Sequence, residues 1–508
     1  MSVAGACWGG EDAEASAARP GVAPAADDPH PSPDYDSGVE RSSAPTVLVM
    51  AAGEGTRMHS AVPKVMHEVC GRPMVAWPVL AAREAGADRV AVIVSPDRDL
   101  TPAVPDGTET IVQPEPDGTG GAVRAAHDLI RDSDTVVVLN GDHPLVSADV
   151  IRELLDAHRE AGAAATVMSV ERDHAEQLGR IVRTPDGEFD RIVETKHPED
   201  VPDEILAIRE INTNQFAFDG PALVDAIDRL TNDNPAGEYY LGDALPLIRE
   251  AGGRVIAHRT EDVTVNIGVN NRADLALASS IARDRILERH MLAGVTIVDP
   301  DTTWIDAEVE IASDVTLEPG TILRGATAIG RDSIVGPLAT ILDSRLGEGT
   351  RVLHSYLDRC DVGDEATVGP FAYLRPDTRL GTGSKAGSFV EIKNSQIGDA
   401  AKVPHLSYVG DAEVGPDSNL GAGTITANYD GFRKHRTKIG ARTRVGVDTM
   451  LVAPVNVGDD AYTGAGAVIR KDVPPGALGV TRAEQRNIEG YAEKRRAREE
   501  PEEERIEE

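Results

Sequence analysis

The stretch VLVMAAGEGTRMHSAVPKV, residues 47–65, joins a short apolar run to two glycines, an arginine and a lysine. The apolar run predicts a buried strand, and Gly53 and Gly55 would let the following loop approach phosphate oxygens closely. Arg57 offers a planar charged fork, and Lys64 offers a mobile point charge. The loop lacks the third glycine of a dinucleotide fingerprint and the Gly-Lys-Ser/Thr of a Walker A loop. We therefore predict a phosphate site of another kind.

Length and composition limit the class of protein. A chain of 508 residues is too long for one ordinary core, which predicts two or three domains. The 49 glycines and the aromatic content of only 4% favour a fold rich in tight turns. A net charge of −34 argues against non-specific binding to nucleic acid or to an anionic membrane, because their phosphates repel such a surface.

Cysteines and hydropathy predict the compartment. The three cysteines are scattered and odd in number, which is typical of a reducing cytosol and not of a disulfide framework. No apolar run approaches the roughly 18 residues of a membrane span, and the first residues lack the basic region of a signal peptide. We expect a cytoplasmic protein that binds neither nucleic acid nor membrane.

The first half of the chain has the pattern of an α/β domain. Residues 1–44, rich in Ala, Pro, Asp and Ser, predict a disordered acidic extension. Residues 45–273 alternate Val-rich runs with amphipathic stretches, which predicts a Rossmann-like domain with a parallel sheet covered on both faces. The strands are expected at 46–52, 90–95, 135–142 and 164–170, with helices such as 74–87 and 148–163 between them.

The second half has a different period. Residues 274–293 predict a linker helix, 294–482 a β-helix and 483–508 an acidic C-terminal tail. Aliphatic residues recur every six positions, which predicts a solenoid with three short strands per coil; the alternative is a glycine-rich all-β domain with accidental spacing. The first series is Ile311, Leu317, Leu323, Ile329, Val335 and Ile341, and later series run from Val362 to Leu380 and from Ile439 to Ile469, with Thr463 interrupting. This pattern resembles the hexapeptide proteins, which implies a left-handed β-helix that trimerises.

Two polar residues follow strand-like runs at the expected sheet edge. Asp142 in LNGDHPL and Asn270 in VNIGVNN would supply a carboxylate and an amide oxygen, the hard donors that Mg²⁺ prefers. Taken alone, Asp142 could equally be a helix cap or turn residue.

Residues 51–64, AAGEGTRMHSAVPK, resemble the signature of sugar-1-phosphate nucleotidyltransferases. In such a reaction a sugar-1-phosphate oxygen attacks the α-phosphorus of a nucleoside triphosphate in line, and pyrophosphate leaves. Arg57 and Mg²⁺ would stabilise the charge on pyrophosphate, and Lys64 would bridge the attacking phosphate and the α-phosphate.

From about residue 46 to 482, the chain resembles the bacterial bifunctional UDP-N-acetylglucosamine pyrophosphorylase / glucosamine-1-phosphate N-acetyltransferase family. The resemblance rests on domain order and on GPFAYLRP (369–376), GSFVEIKNS (387–395) and DAEVGPDSNLGAGTITANYDG (411–431). Residues 424–438 also exceed one coil, which predicts a projecting loop. The resemblance implies that His405 is the general base for acetyl transfer, with Glu391 orienting or polarising the centre.

The same resemblance implies binding residues for four substrates: UTP, N-acetylglucosamine-1-phosphate, glucosamine-1-phosphate and acetyl-CoA. For UTP and the uridylyl product they are Ala51, Ala52, Gly53, Lys64, Gln113, Gly118, Thr119, Gly179, Glu194, Asn212 and Asn270, with Thr213 beside Asn212. For glucosamine-1-phosphate they are Arg375, Lys393, Tyr408 and Asn419. For acetyl-CoA they are Ala422, Asn428, Tyr429, Lys434, Ala465 and Arg482.

Several positions depart from the family's usual residues, namely Pro116, Asn140, Asn214, Ser388 and Val447. They leave both reactions in place and affect individual contacts. Two other functions compete with the bifunctional one. The first is a nucleotidyltransferase that uses glucose-1-phosphate and whose β-helix only assembles or regulates, which His405 and the 424–438 loop disfavour. The second is a non-enzymatic scaffold, which Arg57, Lys64, Asp142 and Asn270 disfavour.

Overall fold

The computed structural model describes residues 44–53, 55–173, 175, 178–195, 197–234, 237–481 and 485–499. The predicted acidic extension therefore lies, except for Ala44, outside the described residues. The fold below is that of the unit Ala44–Glu508.

The first part of this unit is a mixed α/β domain followed by one long helix. Its strands are β1 Thr46–Met50, β2 Glu68–Val69, β3 Arg72–Pro73, β4 Arg89–Val94, β5 Glu109–Val112, β6 Thr135–Asn140, β7 Ala165–Glu171, β8 Arg180–Arg183, β9 Phe189–Val193, β10 Glu210–Asp219 and β11 Val255–Arg259. Its helices are α1 Ala76–Glu84, α2 Thr119–Ala125, α3 His127–Arg131, α4 Ala148–Glu160, α5 Asp203–Leu206, α6 Gly220–Arg229, α7 Ala244–Glu250 and α8 Arg272–Leu292.

The main sheet has the strand order β11-β7-β10-β6-β1-β4-β5. The predicted parallel pairing is confirmed for β1 with β4 and β6, for β4 with β5, and for β7 with β11. Strand β10, which is not among the strands expected from the sequence, runs antiparallel to both β6 and β7, so the sheet is mixed. The apolar pattern of a strand buried on both faces does not encode its direction, so the sequence could not distinguish β10 from its neighbours.

Strand β1 lies in the middle of this sheet, and both of its faces are buried. Val47 and Val49 pack in one apolar cluster with side chains of α1 and α4, and Leu48 packs in another with side chains of α2 and α6. Period-two alternation explains this division, because successive side chains of a strand point to opposite faces. The nearly continuous apolar run of the sequence follows from burial on both sides.

Helix α8 begins two residues before the predicted linker helix. Asn271 caps it by accepting from the backbone amides of Ala273 and Asp274, and the Asp274 carboxylate accepts in return from the Asn271 amide. This reciprocal arrangement satisfies amides that have no partner within the helix. The cap therefore fixes where α8 starts.

The rest of the unit is a left-handed parallel β-helix with three sheets. The first sheet contains Thr296–Ile297, Thr316–Leu317, Ile334–Val335, Arg351–Val352, Thr367–Val368, Lys385–Ser388, Lys402–His405, Asn419–Leu420, Arg444–Val445, Tyr462–Thr463 and Leu478–Gly479. The second contains Trp304–Ile305, Ile322–Arg324, Thr340–Leu342, Tyr356–Asp358, Tyr373–Leu374, Glu391–Lys393, Tyr408–Gly410, Ile425–Ala427, Met450–Val452 and Val468–Ile469. The third contains Glu310–Ile311, Ala328–Ile329, Arg345–Leu346, Asp361–Val362, Arg379–Leu380, Gln396–Ile397, Ala412–Val414, Thr437–Ile439 and Val455–Val457.

The period-six residues form the core of this β-helix. Leu317, Leu323, Ile329 and Val335 are at most 3% exposed. The interruption at Thr463 also points inward, because its hydroxyl accepts from the Gly446 amide at 2.9 Å and lies 3.0 Å from the hydroxyl of Thr449. A threonine fits this position since its polar atom is hydrogen-bonded.

A short hairpin of the α/β domain, β2 and β3, packs on the first coil of the β-helix. The Ala307 amide donates to the Cys70 carbonyl at 2.9 Å, and Arg72 pairs with Glu308 at 2.8 Å. Val69, Cys70 and Met74 belong to the same buried apolar cluster as Ile305 and Ala307. The two parts of the unit therefore share one hydrophobic core.

Helix α9, Tyr491–Glu499, follows the β-helix and bears several basic side chains. None of the helices in the described ranges combines the length and the apolar character needed to cross a bilayer.

Candidate active sites

The predicted phosphate loop begins where three parallel strands end together. Met50 of β1 is in register with Ile93 of β4 and with Asn140 of β6. The Ala51 amide then donates to the Ile93 carbonyl at 2.9 Å, and the Gly141 amide donates to the Met50 carbonyl at 2.8 Å. Carboxyl ends of parallel strands are where such sheets bind ligands. The loops after β1 and β6 thus face one common edge.

Two glycines shape this loop for different reasons. Gly55 has φ +64°, and a Cβ there would lie 2.5 Å from the Cβ of Lys64. No atom lies within 4 Å of a Cβ placed on Gly53, so this glycine leaves open space beside the backbone. Arg98 donates to the Gly53 carbonyl at 2.7 Å. Gly55 therefore allows Lys64 to pass closely, and Gly53 keeps a surface free for a ligand.

The structure pairs the predicted cations with the predicted metal ligands. Nζ of Lys64 lies 2.5 Å from Oδ2 of Asp142, and Nη2 of Arg57 donates to Oδ1 of Asn270 at 2.8 Å. The Val269 amide donates to the Asp142 carbonyl at 2.9 Å, which holds the two ligand-bearing segments side by side. These four residues therefore gather at one edge, as the sequence predicted.

The donor set at this edge fits a hard cation. Burial alone would raise the pKa of the Asp142 carboxyl, but the adjacent His143 ring and then the charge and hydrogen bond of Lys64 together outweigh burial and hold that pKa below its usual value. Asp142 is therefore a carboxylate at neutral pH, and Asn270 adds a neutral oxygen. Burial also lowers the pKa of the neighbouring His143 imidazole, with the Asp142 carboxylate acting in the opposite direction. A hard divalent cation held by one carboxylate and one amide would leave the rest of its shell for water and phosphate oxygens.

The residues predicted at the nucleotide base lie around the end of β5. Gln113 is buried, and its Nε2 donates to Oδ1 of Asp117 at 2.8 Å and to the Gly118 carbonyl at 3.2 Å. Gly118 has φ +100°, and a Cβ there would meet the Tyr239 carbonyl at 2.5 Å. The Thr119 hydroxyl accepts from the Leu241 amide at 3.0 Å. Gly118 and Thr119 are therefore fixed by close contacts with residues 239 and 241, beside the buried amide of Gln113.

The predicted sugar-phosphate residues meet at an irregular part of β10. The Asn212 amide donates to the Gly179 carbonyl at 2.9 Å, and a Cβ on Gly179 would lie 3.1 Å from Oε1 of Glu194. The pairing of β10 with β7 shifts register between Asn212 and Phe216. Such bulges re-aim side chains near ligand sites.

Asn214 explains one departure from the family pattern. Its φ is +59°, a conformation that glycine adopts most easily and asparagine tolerates better than other residues. The Asn214 amide donates to Oδ1 of Asn212 at 2.8 Å, and Asn140 donates to the Asn214 carbonyl at 3.2 Å. A second departure, Asn140, therefore links the end of β6 to the bulge. Thr213 turns away, since its hydroxyl donates to the Met168 carbonyl at 2.8 Å.

In the β-helix, His405 lies in a column of mostly small side chains at one corner of the coils. His405 is paired with Ser388 of the preceding coil, and its carbonyl accepts from Gly423 at 3.4 Å. One coil on, the Ala422 carbonyl accepts from Asp448 at 2.7 Å, and the Val447 carbonyl accepts from Gly466 at 2.9 Å. The same corner of successive coils therefore carries Ser388, His405, Ala422, Val447 and Ala465. His405 itself is exposed.

Beside this column lies a cluster of cations on the second sheet. Arg375 pairs with Glu391 at 2.8 Å. The neighbouring ammonium of Lys434 lowers the pKa of Lys393, with burial and then Arg375 contributing in the same direction. Three cations this close to one another favour an anion between them, because it relieves their repulsion. Arg375, Lys393 and Lys434 therefore form a candidate phosphate site.

Tyr408, on the same strand as Gly410, and Asn428, in the next coil, lie over Gly410. A Cβ on Gly410 would lie 2.4 Å from the Tyr408 hydroxyl and 2.8 Å from Nδ2 of Asn428. Asn428 also donates to Asp411, a carboxylate that is only 4% exposed and holds Asn394 as well. Asp411 was missed from the sequence, where one aspartate among many in Gly-Asp turns gives no distinguishing signal.

The predicted projecting loop joins Ile425–Ala427 to Thr437–Ile439. Tyr429 pairs with Lys434 as an isolated antiparallel bridge, and Phe432 at its tip is 92% exposed. Backbone amides of Arg433 and Phe432 and the His435 ring lower the pKa of Asp430 to about 2. This charged turn holds the loop in a defined shape.

One predicted residue of the β-helix site, Asn419, is not brought together with the others. Asn419 lies on the first sheet, in register with Lys402 and Arg444, whereas Arg375, Lys393 and Tyr408 belong to the second. Arg482 lies outside the described residues. Sequence reasoning also missed Asp117 and Arg98, whose contacts with Gln113 and Gly53 arise between loops that no repeat or signature connects.

Comparison with known proteins agrees with both halves of this architecture. Residues 47–239 match the model of the MobA-like NTP transferase domain family. A bifunctional protein GlmU of Streptomyces avermitilis is 48% identical over 456 residues, which cover 89% of this chain and 94% of that protein. Proteins of the same name from Pseudarthrobacter chlorophenolicus and Corynebacterium efficiens are 47% and 45% identical, each over 89% of this chain and over 93% and 95% of their own lengths. The chain therefore belongs to the family of bifunctional GlmU proteins.

Proposed function

We propose that one chain makes UDP-N-acetylglucosamine in two steps at two sites. It transfers the acetyl group of acetyl-CoA to glucosamine-1-phosphate, and then transfers UMP from UTP to the N-acetylglucosamine-1-phosphate produced. The observation that carries the proposal is the pairing of Lys64 with Asp142 and of Arg57 with Asn270 at the edge where β1 and β6 end. The product would feed peptidoglycan and envelope synthesis, and both co-substrates favour a cytoplasmic location.

For uridylyl transfer, the chain would supply alignment and charge. A phosphate oxygen of N-acetylglucosamine-1-phosphate attacks the α-phosphorus of UTP, and the bond to the β-phosphate oxygen breaks as pyrophosphate leaves. Lys64 would hold the attacking phosphate against the α-phosphate, and Arg57 would stabilise the leaving pyrophosphate. When bound, Mg²⁺ held by Asp142 and Asn270 would neutralise phosphate charge. Gly179, Glu194 and Asn212 would hold the sugar.

For acetyl transfer, His405 would act as general base. Its imidazole takes a proton from the C2 ammonium of glucosamine-1-phosphate, the free amine attacks the thioester carbonyl, and coenzyme A leaves as a thiol. Arg375 and Lys393 would bind the sugar phosphate. Ala422 and Ala465 lie in the same column as His405. Their small side chains would leave room for the pantetheine arm.

Self-association is part of the proposal, and a homotrimer is the expected state. Phe371, Phe389 and Leu406 occupy one corner of successive coils, and Leu338 lies at the same corner two coils before Phe371, with His354 between them. The four apolar side chains are 51–63% exposed, and Phe371 and Phe389 stack at 5.2 Å. A contiguous apolar ridge of this kind is typical of a protein interface. Because Asn419 lies on another sheet than Tyr408, a neighbouring copy would bring its Asn419 to the sugar. A mass measurement in solution tests this state.

Two product assays on the purified protein test the function. Pyrophosphate release from UTP and N-acetylglucosamine-1-phosphate with Mg²⁺ reports the first site. Thiol release from acetyl-CoA and glucosamine-1-phosphate reports the second. Pyrophosphate without thiol would leave a nucleotidyltransferase with a structural β-helix, and neither product would favour a scaffold.

A further inference from the structure

The amide of Gln113 is held in one orientation. Its side chain is 4% exposed, and Nε2 donates to Oδ1 of Asp117 at 2.8 Å and to the Gly118 carbonyl at 3.2 Å. A primary amide has two N–H donors, so both are used. Within the described residues, no group donates to Oε1 of Gln113. The amide oxygen is thus the atom left for a ligand.

The partners of Nε2 exclude the flipped amide. A carboxylate and a carbonyl are acceptors only, so turning the amide over would place Oε1 against two oxygens and lose both hydrogen bonds. The cost is large for a buried group because water cannot replace the lost partners. Asp117 therefore decides which atom of Gln113 a ligand meets.

Asp117 is itself fixed from two sides. Its Oδ2 pairs with Nη2 of Arg124 at 2.9 Å, and the Arg124 guanidinium stacks on the Tyr239 ring at 4.2 Å. Its carbonyl accepts from the Tyr239 amide at 2.7 Å. Neither contact involves Gln113, so the carboxylate is in place before a ligand arrives.

Gly121 provides the space that the Asp117 carboxylate occupies. A Cβ on Gly121 would lie 1.8 Å from Oδ1, and the three atoms nearest to that Cβ all belong to Asp117. Gly121 lies inside α2 and has no positive φ, so its backbone conformation suits alanine. The conflict with a larger residue is therefore with Asp117.

We propose that Asp117 is a positioning residue that makes the site select uracil, by holding Gln113 so that Oε1 accepts the N3–H of the base. This inference rests on the proposed uridylyl transfer. Uracil has a hydrogen on N3 that it can donate, whereas N3 of cytosine carries only a lone pair. Cytosine would therefore place this nitrogen against the Oε1 oxygen, and two acceptors cannot form a hydrogen bond. Without Asp117 the amide can turn over, and Nε2 can then donate to N3 of cytosine.

The test compares UTP and CTP as donors. Pyrophosphate release with N-acetylglucosamine-1-phosphate and Mg²⁺ gives kcat/KM for each nucleotide, and their ratio is the preference. Asp117→Ala is expected to lower the preference about tenfold or more, since a polar site loses discrimination when its hydrogen-bonding pattern is released. Asp117→Asn keeps only one acceptor oxygen for two donors, Gln113 and Arg124, and should therefore restore the ratio only in part. Glu115→Ala, which removes an exposed carboxylate of the same loop, should leave the ratio unchanged.

A second variant tests the geometry independently. Gly121→Ala should lower the preference in the natural background, because its Cβ displaces the carboxylate, and should lower it no further when combined with Asp117→Ala. Loop disorder alone would reduce both nucleotides equally and keep the ratio.

Two results would overturn the inference. An active protein whose Asp117→Ala variant keeps the full preference for UTP would overturn it alone. A wild-type protein that releases no pyrophosphate from UTP would overturn the proposed function and this inference together.

Discussion

The two candidate sites are assembled over very different distances along the chain. In the α/β domain, Arg57 meets Asn270 across 213 residues and Lys64 meets Asp142 across 78. In the β-helix, Arg375 meets Glu391 across 16 residues, and Asn394 meets Asp411 across 17, which is one coil. The first site therefore depends on the whole sheet being formed, whereas the second depends on register between neighbouring coils.

The largest expected effect separates the two sites completely. His405→Ala should lower thiol release about 100- to 10,000-fold, since a general base contributes that much, and should leave pyrophosphate release intact. Arg57→Ala should do the reverse, because it removes charge stabilisation of the leaving group. Both product assays on each variant provide the measurement. If either folded variant lost both activities, the assignment of two independent sites would be wrong.

A smaller effect tests how tightly the first site is packed. Gly55→Ala places a Cβ 2.5 Å from the Lys64 Cβ and strains a positive φ, so Lys64 should shift and kcat/KM for uridylyl transfer should fall. We expect a loss of about 100-fold, as for other small displacements of a reacting group.

Gly383→Ala is the matched control for that variant. Gly383 in the β-helix has φ +63° but no atom within 4 Å of an added Cβ. It should therefore show the backbone strain alone and keep both activities. Equal losses of uridylyl transfer in the two variants would contradict a role for the Lys64 contact.

The linker helix between the two regions should respond to acid. His290 on α8 is 6% exposed, and burial, with a smaller effect of Arg289, lowers its pKa to about 4. Between that value and the ordinary 6.5, the unfolded state binds more protons than the folded state, so stability rises with pH across this window. The contribution at pH 7 is up to about 3 kcal/mol, and it is lost on acidification.

His290→Leu should remove this part of the pH dependence, while the exposed His197→Gln should not. The measurement is the slope of the unfolding free energy against pH in denaturant titrations. An unchanged slope in His290→Leu would show that the burial of this imidazole does not couple to the stability of the helix.

The smallest expected effect concerns the cap of α8. Asn271→Ala should cost about 1 kcal/mol of unfolding free energy, as cap losses usually do, and should also weaken uridylyl transfer because Asn270 precedes the cap. Ser147→Ala removes the cap of α4, where the Ser147 hydroxyl accepts from the Val150 amide at 3.3 Å. It should cost similar stability without weakening uridylyl transfer. Thermal melts and both assays on the two variants decide whether cap and site are linked.

The comparison also explains what the sequence could predict. The inward positions Leu317 and Leu323 were predictable because a six-residue period repeats along the chain and each coil meets only its neighbours. The direction of β10 was not predictable, since its partners lie far along the chain and its burial pattern is the same in either direction.

The candidate site of the α/β domain shows the same limit: contacts between residues far apart in the chain were not predictable. Signatures indicated Arg57, Lys64, Asp142 and Asn270, but not that Lys64 pairs with Asp142 and Arg57 with Asn270. Asp117 had no signature, because its role depends on Gly121 leaving room for its carboxylate. The domain limits and the roles of the binding residues stay predictions.

The shared core around β2 and β3 has a practical consequence for dividing the gene. A cut after α8 would expose Val69, Cys70 and Met74, which pack against Ile305 and Ala307 of the first coil. An excised nucleotidyltransferase half should therefore include the first coils of the β-helix, because without them its exposed apolar side chains would promote aggregation. Recombination that exchanges only the β-helix between relatives would have to preserve this contact, so the two catalytic halves are expected to evolve as one cassette.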